Sequence, residues 1–376
     1  MRIGINAYLI RDLVSGVEYY IRDLLRALIE FDGTNSYTVY HLQKARSRIF
    51  ADLRGCNRVA TRFIDNPVTR IVWEQVALPL RSSKDGIEIL HAPGYIMPLF
   101  STLPTIVTIP DIIALKHPGL CGKRNAAYFK HFLPRSARRA CRIIALSHTT
   151  KRDLIEHLGI AEDKIDVVHC GVRETFKPIT DSALLDGARR KFGITGKVLL
   201  FAGNLEPKKN LGRLIAAFHE LKGSNALEHQ LVIAGHQGVS YGELRATAHR
   251  LGMDKSVVFT GYVSSEDLTL LYNIADVFVF PSLYEGFGIP PLEAMSCGTV
   301  VVGADAGSIP EVVGDGAVLV NPYAVEDIAR GIYQAATDDE LRKTLIERGR
   351  RRASRFTWRR AAAATVEVYE KCHIRA

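Results

Sequence analysis

Short, nearly unbroken runs of β-branched and aromatic residues recur along this chain, each followed by a stretch of helical periodicity. RIGIN, YTVYHL, IEILH, TIVTI, RIIAL and IDVV come first, and KVLLFA, LVIA, VVF, VFVF, TVVV and AVLV repeat the alternation in the second half. A strand that is apolar on both faces has to be covered on both, which crossover helices on a parallel sheet provide. The pattern predicts an α/β fold built from doubly wound, Rossmann-like parallel sheets. At 376 residues the chain exceeds what one core organises, so two domains are expected. The polar stretch RETFKPITDSALLDGARRKFGITG, broken by Pro178, separates the halves. The expected domains are residues 1–178 and 179–355, with a final helix of about 356–376, capped by Thr357, rejoining the first. Sheets whose carboxyl ends face each other make a central cleft, and open α/β sheets bind ligands at that edge.

The formal charge is +9, and its position says more than its size. Residues 112–152 hold Lys116, Lys123, Arg124, Lys130, Arg135, Arg138, Arg139, Arg142, Lys151 and Arg152 with no acid. Interleaved with Tyr128, Phe129, Phe132 and Leu133, the block suits an anionic membrane surface or a polyanionic acceptor; a solvated helix face is the other reading. The six cysteines, Cys56, Cys121, Cys141, Cys170, Cys297 and Cys372, form no C-x-x-C pair and no ligand group with histidine, and are read as reduced thiols. MRIGINAYLI is too short and polar for a signal peptide, and no run of about 18 apolar residues occurs. The expectation is a cytoplasmic protein.

GFGIPP and GDGAVL both begin G-x-G without the third glycine, and no G-x-x-x-x-G-K-[ST] occurs, which disfavours dinucleotide and P-loop chemistry. FAGNLEPKKNLGRLIAAF reads as a strand, a polar loop and an amphipathic helix with Leu211, Leu214, Ile215 and Phe218 on one face. Lys208 and Lys209 stand where the helix dipole already disfavours cations, a conflict that a bound phosphate would resolve. PSLYEGFGIPPLEAMSCG carries Glu285 in a glycine turn and Glu293 in what reads as the first turn of a helix. Two such acids can grip a polyhydroxylated ligand at two points, while dipole complementation alone would account for Glu293.

These stretches, with SGVEYYIRDLLRAL, PDIIALKHP, IIALSHTTKRDL, IDVVHCGVRETFKP, FTGYVSSEDLTLLYNIADVFVF and FTW, resemble the retaining family-4 glycosyltransferases of the GT-B fold, in their mannosyltransferase-like subgroup. The resemblance implies an acceptor-binding first domain and a donor-binding second one. It implies that Glu285 holds the donor sugar with the amides of Gly286, Phe287, Gly288 and Ile289. Glu293 would bind the ribose and Lys209 the diphosphate, with Gly16 against the same phosphates and Tyr262 and Val263 beside the base. Two departures stand out. Asn204 replaces an arginine that many members pair with the lysine, and Pro110 precedes Asp111 where the family has His-Asp. Asp111 remains a candidate acceptor-side catalytic group, with loop capping as its plain alternative, and His91 is a second acceptor-side candidate, with a structural role at a strand end as its alternative.

The expected function is transfer of a hexose, mannose from GDP-mannose, to a membrane-linked or oligosaccharide acceptor in surface polysaccharide or glycolipid synthesis. UDP-linked glucose, galactose or N-acetylglucosamine is the alternative donor, and a non-catalytic nucleotide-sugar binder the alternative protein. A hydrolase would leave the lysines idle, and a nucleic-acid partner would leave the cleft unexplained. No cofactor is expected beyond the nucleotide sugar as co-substrate. Without a D-x-D triplet, a metal-independent site is expected, on a protein held peripherally at the inner face of the cell membrane.

Overall fold

The structure is a computed structural model that describes residues 1–11, 15–43, 55–61 and 67–374. Its contacts divide the chain into two units, Met1–Gly171 with Thr357–Ala376, and Val172–Phe356.

In the first unit the strands are β1 (Arg2–Asn6), β2 (Ser36–Leu42), β3 (Asn57–Thr61), β4 (Ile89–Ala92), β5 (Thr105–Ile109), β6 (Arg142–Ala145) and β7 (Ile165–Val167). They pair in parallel in the order β3-β2-β1-β4-β5-β6-β7. The central strands β4 and β5 are buried throughout, because helices cover both faces. Val107, Ile109, Ile143 and Ala145 pack with Leu133, Ala137 and Leu154 from two covering helices to form one core cluster. The edge strand β3, NRVAT, has a mixed, mostly exposed pattern and no apolar run to announce it.

In the second unit β8 (Val198–Ala202), β9 (Gln230–Ala234), β10 (Val257–Gly261), β11 (Val277–Phe280), β12 (Val300–Ala304) and β13 (Ala317–Val320) pair in parallel in the order β10-β9-β8-β11-β12-β13. Phe201, Phe278 and Phe280 are fully enclosed and stack at centroid distances of 6.0 and 5.9 Å. Each contributes about 1.5–3 kcal/mol by leaving water. The Ser182–Phe192 helix is started by Asp181, whose carboxylate accepts from two free amides, and stopped by Gly193 at φ 66°.

The chain passes between units at Gly171/Val172 and returns at Phe356/Thr357, several residues before the expected joint near 178. The reason is local bonding. Val172 N donates to Phe356 O at 2.9 Å, Phe176 packs edge-on against Tyr272 at 5.7 Å, and Ile179 N donates to Asn273. The polar segment around Pro178 is therefore part of the second unit. On the other side, a Cβ on Gly171 would lie 2.1 Å from the Trp358 backbone nitrogen, so only glycine permits this approach. The final helix, Trp358–Ile374, follows with Thr357 Oγ1 accepting from Arg360 N, and it packs on the Gly16–Phe31 helix. Among the described residues, no helix is long and apolar enough to cross a membrane.

Candidate active site

The strand order of the second unit places β8 beside β11, where the winding reverses and the loops leave on opposite faces. The loop after β8 carries Lys208 and Lys209 in a single turn, Pro207–Lys209, ahead of the Leu211–Gly223 helix, and the loop after β11 carries Glu285. Lys209 Nζ donates to Glu285 Oε1 at 2.5 Å, Lys208 Nζ stands 3.8 Å from Oε2, and the Phe280 ring lies 4.8 Å from the Lys209 ammonium. Lys209 is 9% exposed and Glu285 8%. Burial raises the Glu285 carboxyl, but Lys209 and Lys208 outweigh it and hold it below the ordinary glutamate value. Glu285 thus accepts from one lysine and stands near a second, and Glu206 adds another negative charge beside Lys209.

Glu293 differs from its expected position. The Ile289–Cys297 helix fills its first turn with prolines, so Glu293 falls in the second turn and dipole complementation does not explain it. Its Oε1 accepts from Arg173 at 3.2 Å and its Oε2 from Tyr272 Oη at 3.2 Å. Arg173 also donates to Ser265 Oγ and lies over the Phe176 ring. Burial first, and Glu293 second, push the Tyr272 phenol well above its ordinary value, which keeps it a donor.

Between the two acids, Gly286, Phe287 and Gly288 are buried and Ile289 is half-buried. Gly288 has φ 97°, and a Cβ there would stand 2.5 Å from Ile309 Cδ1, so glycine is required for conformation and for space. Ser308 Oγ contacts the carbonyls of Glu285 and Phe287 at 2.9 and 2.8 Å, holding the turn from below. Asn204 is half-buried in the loop after β8, where its carbonyl accepts from Glu206 N. Tyr262 is 54% exposed and Val263 half-buried, both just past β10, and Ser264 then caps the Ser265–Ile274 helix.

The first unit holds the other candidates. Gly16 opens the Gly16–Phe31 helix behind the cap Ser15, with nothing within 4 Å of where a Cβ would be. Asp111 is buried: Oδ2 accepts from Tyr95 Oη and Oδ1 from Ile113 N, both at 3.0 Å, which is the loop-capping arrangement. Pro110, ahead of it, accepts from Thr150 Oγ1 through its carbonyl. His91 is a correction. It lies in β4, 0% exposed, with Nδ1 on Tyr369 Oη at 2.8 Å and Nε2 on Thr108 Oγ1 at 2.9 Å. Burial lowers it to about 3, so it is a neutral core residue with no nitrogen left for an acceptor.

The basic segment is also corrected in part. Arg142 is buried in β6 and paired with Asp166 at 2.5 Å, Lys116 is paired with Asp153 at 2.7 Å, and Lys151 with Glu162 at 3.1 Å. The side chains of Lys123 and Arg124 lie outside the described residues. Lys130, Arg135, Arg138 and Arg139, on the Lys123–Arg139 helix, are exposed.

Residues 14–176 match Glycosyltransferase Family 4, and residues 187–352 match Glycosyl transferases group 1. The chain is 30% identical over 294 residues to the O-antigen chain mannosyltransferase B of Escherichia coli, covering 78% of this chain and 76% of that one. It belongs to the family-4 glycosyltransferases. Two solved structures share the fold along the whole chain. Sucrose-phosphate synthase from Thermosynechococcus elongatus superposes at TM-score 0.80 with 18% identity over 100% of each chain. Anabaena HepE, in complex with UDP and glucose, superposes at 0.79 with 19% identity over 98% of this chain and 99% of its own. As a GT-B glycosyltransferase, the protein is a transferase built on two Rossmann-like sheets.

Sequence reasoning missed several residues around the two acids of this glycosyltransferase. Arg173 is 120 residues from Glu293, and no local pattern links them. Ser308 reaches the glutamate turn from 23 residues downstream. Asn210 had a signal, since it directly follows Lys209 and precedes a helix, but a cap is all that this position suggests.

Proposed function

We propose that this glycosyltransferase moves mannose from GDP-mannose, with retention, to a membrane-linked or oligosaccharide acceptor during synthesis of a surface polysaccharide or glycolipid. The observation that carries the reading is the Lys209–Glu285 pair, with Lys208 as a second cation, at the switch point of the second sheet. The likeness to an O-antigen chain mannosyltransferase supports mannose. In this reading Glu285 accepts hydrogen bonds from the hexose hydroxyls, and the amides of the Gly286–Ile289 turn support the same group. Glu293, fixed by Arg173 and Tyr272, takes the ribose hydroxyls, and Tyr262 and Val263 flank the base. Lys209 and Lys208 face the diphosphate, with Asn204 donating hydrogen bonds where other members have a charge; Gly16, at the start of a helix whose dipole suits an anion, keeps the phosphate role that the family resemblance implies.

The bond from the anomeric carbon to the phosphate oxygen breaks as the acceptor oxygen bonds to the same face, and the acceptor proton passes to the leaving diphosphate. Charge grows on that diphosphate in the transition state, so preorganised ammonium groups stabilise it more than the ground state. The two lysines take the role a divalent ion fills elsewhere, and the reaction is metal-independent in this reading. The first unit is assigned the acceptor, with Asp111 at its edge, and the exposed cations of the Lys123–Arg139 helix are assigned an anionic membrane surface at the inner face of the cell membrane.

Thermal unfolding in the presence of GDP-mannose, UDP-glucose, UDP-galactose and UDP-N-acetylglucosamine tests the donor. A ligand at 100 times its Kd adds about 2.7 kcal/mol to the native state. GDP-mannose is expected to raise Tm and the UDP-sugars are not; the opposite ranking overturns the mannose reading and favours the UDP-linked alternative. Release of mannose onto an acceptor, absent for a binder that has lost activity, separates catalysis from binding.

A further inference from the structure

Asn210 directly follows Lys209, and its side chain joins three separate chain segments. Its backbone is left-handed at φ 61°, which asparagine tolerates better than most residues carrying a Cβ. It holds the N-cap position of the Leu211–Gly223 helix, where asparagine is among the best caps, yet its side chain bonds no helix amide. Instead Nδ2 donates to Pro281 O at 3.1 Å, just past β11, and to Pro322 O at 2.6 Å, just past β13. Oδ1 accepts from Arg213 at 2.9 Å, so two carbonyls and one guanidinium fix the orientation of the amide. On the other side of Lys209, Lys208 O accepts from Leu283 N at 2.8 Å. Both neighbours of the lysine are thus stitched to the segment that carries Glu285.

A forgone cap and a left-handed backbone both cost stability, and what they secure is the meeting of two charged groups 76 residues apart. We propose that Asn210 is a positioning residue for the donor diphosphate, setting where Lys209 Nζ stands relative to Glu285 by tying the loops after β8, β11 and β13 together. This rests on the reading that Lys209 faces the diphosphate. A misplacement of about 1 Å at such a group can cost two orders of magnitude. The effect belongs to the phosphate and not to the nucleoside, which is held by other residues.

Calorimetry with GDP, GMP, UDP and UMP measures what the second phosphate adds for whichever base binds. The wild-type protein is expected to bind the diphosphate more tightly than the monophosphate, and Lys209→Ala to reduce that ratio at least about tenfold. Asn210→Gly keeps the left-handed backbone and removes all three amide bonds; Asn210→Asp sets an oxygen against two carbonyls. Each is expected to lower the ratio toward the Lys209→Ala value, with monophosphate affinity held within about threefold, and to lower it no further in a Lys209→Ala background. A purely structural role would weaken both nucleotides alike and would persist in that background. A wild-type ratio in both Asn210 variants, beside a collapsed ratio in Lys209→Ala, overturns the proposal. Loss of the fold in both Asn210 variants while Lys209→Ala folds also counts against it. An unchanged ratio in Lys209→Ala, or no binding of either diphosphate, overturns the placement of the phosphate instead.

Discussion

Glu285 accepts from the buried Lys209, and that contact decides how its loss reads out. In Glu285→Gln the buried Lys209 loses its partner, so the native state should weaken by about 3 kcal/mol, measured by chemical denaturation. Hexose transfer should fall at least about a hundredfold, on the scale of removing one preorganised group from an active site. GDP affinity should hold or improve, because the lysines then lose one carboxylate that competes with the phosphates; a weakened affinity would place the phosphate elsewhere. The depressed carboxyl adds stability that is present above the ordinary glutamate range and lost as pH falls below it through the folded value. His91 acts in a higher window. Its folded value of about 3 lies below the ordinary 6.5, so the unfolded chain binds a proton that the native state refuses. Stability contributed by this residue is whole above pH 6.5 and declines by about 1.4 kcal/mol per pH unit from there toward pH 3. In His91→Gln the slope of unfolding free energy against pH, measured between 6 and 4, should flatten by up to one proton; an unchanged slope would mean His91 is not a neutral core group.

At the scale of elements, the Lys123–Arg139 helix and strand β6 separate two roles that a run of cations in sequence merges. Arg138→Ser with Arg139→Ser removes exposed charge and should reduce binding to anionic vesicles at low salt with only a small fall in Tm, since both cations favour the dipole at the helix end. Arg142→Ser leaves Asp166 with only the more exposed Lys371 as partner and should cost about 1–3 kcal/mol of stability with vesicle binding unchanged. If the double variant binds vesicles as the wild type does, the helix is a solvated face. The same comparison shows what was legible in advance. Strands with apolar runs, such as VLLFA and VFVF, announce themselves because burial on both faces leaves no room for polar residues. Strand β3 does not, because an edge strand keeps one side in water. The final helix, expected over about 356–376, is observed as Trp358–Ile374, since the Thr357 cap that starts it lies in the same stretch of sequence. Glu285 and Lys209 were readable from their loops. Their contact, the Arg173 grip on Glu293 and the enclosure of His91 by Tyr369 are long-range, and no window of sequence contains both partners.

For the molecule as a whole, the final helix is the part that makes the first unit depend on the far end of the chain. Tyr369 closes over His91, and the Trp358–Ile374 helix lies along the Gly16–Phe31 helix. A chain ending at Phe356 would leave a fully enclosed imidazole nitrogen without its partner and an apolar helix face uncovered. Thermal unfolding of that truncated protein should show the transition of the Val172–Phe356 unit retained and that of the first unit lost or lowered by many degrees. A single transition at the full-length temperature would mean the helix is dispensable. Multidomain chains usually fold from the amino terminus during synthesis. Here that order is inverted: the strands of the Met1–Gly171 unit are made before the Val172–Phe356 unit yet wait, unfinished, for the Trp358–Ile374 helix to emerge, so chaperone demand during translation should centre on that unit.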